Sequence, residues 1–163
     1  MEIAICAVLI GIGATALIDL WALLLRRAFG VASLDYALAG RWLGHMPAGR
    51  FTHASIAAAP GIRGERLMGW GAHYAIGVLF AAMLLAACGL DWIRQPSPGP
   101  ALVFGILTVA APFFVMQPGM GIGIAASKTP KPNLARLRSL ATHSIFGFGL
   151  YASAFVLARL MPL

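Results

Sequence analysis

Asp19, His73, Gln117 and His143 each interrupt a different apolar stretch of the chain. A charged side chain at the centre of a bilayer costs about 3 kcal/mol on insertion scales, so such residues usually mark a site. Their types suit proton or small-solute handling. Imidazole changes charge near neutral pH, and desolvation tunes a carboxyl upward. His73 and His143, from separate stretches, also suit paired ligation of a haem iron or another metal between helices. The competing role is structural: polar groups that hydrogen-bond across helix contacts contribute on the order of 1 kcal/mol each.

The elements that would position these residues are membrane helices. Of 163 residues, 60% are hydrophobic and only 10% charged, with a mean hydropathy of +0.85. A soluble domain carries roughly a quarter charged residues. A net charge of +7 does not imply nucleic-acid binding here, because the basic residues punctuate the apolar stretches instead of forming one face. The start, Met1-Glu2-Ile3, lacks the basic region of a signal peptide, and its apolar run is too long for one, so it is expected to be a retained span.

Four segments approach the roughly 20 residues that cross a bilayer, at about 3–25, 67–90, 100–126 and 140–160. The expected fold is an all-α, four-transmembrane-helix bundle forming a single domain. Pro112 and Pro118 should kink or break the third helix. Ten basic residues lie in the two loops that follow the first and third spans, against two, Arg94 and Arg159, on the other side. The positive-inside rule then places both loops in the cytoplasm and both termini in the periplasm. In the first loop Leu34, Leu38 and Trp42 recur every four residues behind Ser33, a candidate N-cap. This predicts a short interfacial helix, with an irregular loop as the alternative.

That topology gives the polar residues a common depth. Asp19 precedes Arg26 by seven residues and His73 follows Arg66 by seven, which puts both roughly 10 Å inside the cytoplasmic boundary. His143 is slightly shallower and Gln117 deeper. Helical phase places Gly11, Thr15 and Asp19 on one stripe, Gly69, His73 and Gly77 on a second, and His143, Gly147 and Tyr151 on a third. Small residues at this spacing bring membrane helices close together. The expected site is therefore Asp19, His73, Gln117 and His143 with Thr15 and Tyr151, shaped by a helix break at Pro112, Pro118 and Gly119.

Other motifs are weaker. Gly119-Met120-Gly121-Ile122-Gly123 follows no strand and is not a dinucleotide fingerprint. His45 and His53, eight residues apart, lack metal-site spacing and read as surface or interfacial histidines. Cys6 and Cys88 fall near the outer ends of their spans, as a disulfide or as two buried thiols. No hydrolase elbow, zinc-protease helix, Walker loop or haem-attachment motif is present, so no cofactor is expected and an enzyme is disfavoured.

Several runs together resemble domain-of-unknown-function family 2938. They are Thr15 with Asp19-Leu20-Trp21, Gly40-Arg41-Trp42 with Gly44-His45, Gly69-Trp70 with His73-Tyr74, Met116-Gln117-Pro118-Gly119, Ala125-Ala126-Ser127-Lys128-Thr129-Pro130, and Arg138-Ser139-Leu140 with His143. The resemblance implies a four-span bacterial inner-membrane protein and no particular activity. The functional expectation is a small transporter or channel-like protein for a small solute, ion or proton, as a homo-oligomer or with a partner membrane protein. The alternatives are a scaffold whose basic loops dock anionic lipid or a partner, and a membrane redox or metal-binding protein.

Overall fold

The computed structural model describes residues 2–160, and all the regular structure in them is helical. Six α-helices follow in order: α1 (Glu2–Phe29), α2 (Tyr36–His45), α3 (Glu65–Arg94), α4 (Pro98–Leu107), the single turn α5 (Gln117–Gly119) and α6 (Pro132–Leu160). Four stretches are long and apolar enough to cross a membrane: Ile3–Phe29, Glu65–Arg94, Pro98–Gly119 and Pro132–Leu160. Their outward faces carry large apolar side chains, among them Leu20, Leu24, Leu79, Val103, Leu107 and Val156, each more than half exposed. In water such a surface would aggregate, whereas lipid solvates it. The chain is a membrane protein.

Local chemistry accounts for the helix limits. Arg26 and Arg27 occupy the last turn of α1, where the backbone dipole favours cations. Gly30 then turns left-handed at φ 65°, and the Val31 N–H reaches the Leu25 carbonyl at 3.2 Å, a glycine-terminated helix end. The short helix expected in the first loop is present as α2, but its cap is Asp35, not Ser33. The Asp35 carboxylate accepts from the Ala37 N–H at 2.9 Å, and its backbone is extended, as a cap requires. In α3, Gly89 (φ 77°) interrupts the helix one turn before its end. Pro98 sits at the first position of α4, where its missing N–H is harmless.

The third span ends earlier than its apolar composition suggests. After α4 the backbone widens into a π-type turn at Pro112–Met116, closed by the Gln117 N–H on the Pro112 carbonyl. Helix then stops at Gly119, because Gly121 and Gly123 take φ near +85°. Ala125 and Ala126 are also left-handed (φ 46° and 59°), a conformation that disfavours any residue with a Cβ by roughly 1–2 kcal/mol. Arg136 holds that turn from α6, its Nε donating to the Ala125 carbonyl at 2.9 Å.

The chain forms two compact units. The first joins residues 1–33, 74–108 and 141–163, and is a four-helix arrangement of α1, most of α3, α4 and most of α6. Its core contains Cys6, Ile10, Ala14, Leu84, Ile93, Phe146, Leu150 and Ala154. Helices meet there backbone to backbone. A Cβ added at Gly11 would lie 2.5 Å from the Val78 Cα, one at Gly105 would strike Gly147, and one at Gly149 would lie 2.8 Å from the Ala14 Cα. The second unit, residues 34–73 and 109–140, gathers α2, the loops and the first turns of α3 and α6 around Trp42, Ile56 and Met120.

Gly11 and Gly71 should respond oppositely to alanine. Gly11→Ala forces α1 off α3 and should lower stability by about 1–3 kcal/mol. Gly71 has open space around its Cβ position, so Gly71→Ala should raise stability by about 0.5–1 kcal/mol through backbone entropy. Thermal unfolding in detergent, followed by circular dichroism, reads both.

Candidate functional site

Two ionisable side chains of the four-helix unit are each held by a neutral hydroxyl from another helix. The Tyr74 hydroxyl of α3 donates to the Asp19 Oδ2 of α1 at 2.8 Å, and both residues are half-buried. One turn further into α1, Thr15 is 1% exposed and turns its hydroxyl back onto the Gly11 carbonyl at 2.8 Å. Its Oγ1 fills the space that a Cβ at Gly77 would need. Thr15 therefore acts in packing, next to the Asp19–Tyr74 pair.

The second pair fixes a tautomer. Thr108, just past the end of α4, donates its only hydroxyl proton to the Gly105 carbonyl at 2.5 Å. Its oxygen lies 2.7 Å from the His143 Nδ1 on α6. With its proton committed, that oxygen can only accept, so Nδ1 carries the hydrogen, and in the neutral ring Nε2 then presents a lone pair. The close contact of Gly105 with Gly147 and the His143 backbone brings the two side chains within reach. Tyr151, two turns along α6, stands between the rings of Phe148 and Phe155 with centroids 6.4 and 6.0 Å away, and Arg159 lies over the Phe155 ring.

His73 and Gln117 belong to the other unit. His73 Nε2 is 3.0 Å from the Tyr36 hydroxyl, and Tyr36 also packs against Trp70 with ring centroids 4.4 Å apart. This cluster forms where α2 crosses the start of α3: a Cβ at Gly69 would strike the Tyr36 carbonyl, and one at Gly40 the Glu65 carbonyl. Gln117 is 8% exposed, and its amide oxygen is buried with no hydrogen-bond partner among the described residues. The turn that carries it is packed on Trp42, whose indole nitrogen would lie 2.6 Å from a Cβ at Gly119.

The structure also joins side chains that sequence spacing left apart. His45 Nδ1 and His53 Nε2 are 2.8 Å apart, and His53 is tied to Gly119 by its backbone N–H (2.9 Å to the carbonyl) and its ring (3.4 Å). His45 is 9% exposed and belongs to the interior of this unit, which corrects the surface reading. Arg41 forks onto both oxygens of Glu65 at 2.8 and 2.9 Å and spends its third nitrogen on the carbonyls of Ile56, Ala57 and Ala59. The hydrogen bond to Glu65 raises the Arg41 guanidinium further above its ordinary value. Tyr74 and Thr108 had no local signal in the sequence, since they meet their partners across 55 and 35 residues. Cys6 is buried and Cys88 half-buried, both as thiols. Among the described residues no three His, Cys, Asp or Glu side chains gather to hold a metal.

The family model described as "Protein of unknown function (DUF2938)" matches residues 8–157, nearly the whole chain. The protein belongs to that family. No curated protein and no solved structure matches it.

The Thr108 arrangement places hydrogen on His143 Nδ1, so the neutral ring should be the Nδ1–H tautomer, which ¹⁵N NMR of imidazole-labelled protein reads directly. Thr108→Val should mix the tautomers, and Thr108→Ser should restore the single form.

Proposed function

We propose that the protein moves a proton, or a small polar solute together with one, across the membrane through its four-helix unit, with Asp19 and His143 as the exchanging groups. The observation that carries this is the nature of their holders. Tyr74 and Thr108 are neutral hydroxyls, and each orients its ionisable partner by a hydrogen bond. A carboxyl group can bind a proton on one oxygen while its other oxygen accepts the Tyr74 hydroxyl. At His143 the Nε2 lone pair is the acceptor. Both groups are half-buried on membrane helices, where an ionisable side chain without a task is disfavoured.

Reconstituted liposomes test the reading. Asp19→Asn and His143→Gln should each cut pH-driven proton flux, followed with an internal dye, by roughly tenfold or more, with unfolding temperatures within a few degrees of the parent. Unchanged flux, or a loss that only parallels lost stability, would leave these pairs as packing elements.

The same reading sets the protein in a bacterial inner membrane with its ten loop cations inside and both termini in the periplasm. A C-terminal alkaline phosphatase fusion should be active, and a C-terminal fluorescent protein of the kind that matures only in the cytoplasm should be dark. The reverse pattern overturns this orientation.

A further inference from the structure

We propose that the groove at the start of α6 seats the phosphate of an anionic phospholipid. The proposal does not depend on the role of the Asp19 and His143 pairs. The groove has a volume of about 380 Å³, and Thr129, Pro130, Lys131, Leu134, Ala135 and Arg138 line it. Lys131, just before α6, is three and four residues from Leu134 and Ala135, and these are four and three from Arg138, so the four line one side of the helix start, cationic at both ends and apolar between.

Charge complementarity identifies the occupant. Lys128, Lys131, Arg136 and Arg138 fall within eleven residues, and the sequence contains no Asp or Glu after Asp91. None of the four has a carboxylate partner among the described residues. Arg136 is committed to the Ala125 carbonyl and to Asn133 Oδ1, which ties the preceding turn to the helix. Lys131 and Arg138 are exposed on the groove with their charges unanswered.

The groove is also firmly built. The Thr129 hydroxyl and N–H both donate to the Ala126 carbonyl, at 2.8 and 3.0 Å, and the Ala135 N–H closes on the Lys131 carbonyl at 3.1 Å. Pro130 and Pro132 flank Lys131 and restrict the backbone on either side. Leu134 and Leu137, 40% and 63% exposed, add apolar surface at the start of the fourth span. A soluble anion would leave these leucines in water, whereas a phospholipid covers them with its glycerol and upper acyl chains. Two cations bracketing an apolar stripe beside a membrane helix fit a lipid phosphate.

Thermal unfolding of the full chain in detergent, titrated with phosphatidylglycerol, phosphatidylcholine or inorganic phosphate, tests the assignment. Phosphatidylglycerol should raise the unfolding temperature saturably, and the other two should leave it unchanged. Lys131→Gln/Arg138→Gln should weaken the apparent affinity by at least about tenfold. The charge-matched control Arg26→Gln/Arg27→Gln should keep it. If the double variant fails to fold, Lys131→Gln and Arg138→Gln singly carry the same comparison, since both side chains are exposed. An equal response to inorganic phosphate makes the ligand a free anion, and an equal loss in the control reduces the effect to general attraction. Either result overturns the proposal.

Discussion

Backbone contact between helices is the condition on which the four-helix unit rests. Leucine and lipid are equally apolar, so burying side chains gives membrane helices little reason to associate, and packing and polar bonds must do it. Glycine at positions 11, 77, 105, 147 and 149 removes the atoms that would hold α1, α3, α4 and α6 apart. Only at that spacing can a side chain as short as threonine bridge to the next helix. Thr108 reaches His143 where Gly105 lies against Gly147, and Thr15 occupies the space that Gly77 leaves. The polar pairs and the glycine contacts are thus one arrangement.

The second unit is organised by polar anchoring more than by apolar mass. Its apolar core cluster is built on Trp42, Ile56 and Met120, and each is backed by hydrogen-bonded main chain. Trp42 donates to the Phe51 carbonyl at 2.8 Å, and Arg41 gathers three carbonyls of the 56–59 turn while holding Glu65. His53 and Ile56 donate their N–H groups to Gly119 and Met120 at 2.9 and 3.0 Å. A loop stitched in this way presents Gln117, with its bare amide oxygen, on a rigid support.

The four spans were legible because their signal is local: a run of apolar residues closed by arginine or glycine. The start of α2 was legible in kind but not in detail. Ser33 and Asp35 are both good caps, and only the extended backbone at Asp35 decides between them. The ionisable members of the polar pairs could be read from their cost in hydrocarbon. Their holders could not, because a tyrosine or threonine on a membrane helix is ordinary and its partner lies dozens of residues away. The pairing of His45 with His53 escaped for a different reason. Their separation fits no metal pattern, and what joins them is a fold-back through Met46–Ala48 and the left-handed Gly49 (φ 74°).

The Asp19–Tyr74 bond spans 55 residues, which gives the order of the chain a meaning during biogenesis. A polypeptide made from its amino end presents Asp19 for insertion while Tyr74 is still to be synthesised. The first helix therefore enters the bilayer, or waits at the translocation channel, before this hydrogen bond can form. His143 faces no such interval, because Thr108 precedes it. The bond between α1 and α3 is thus completed only once both helices have been made.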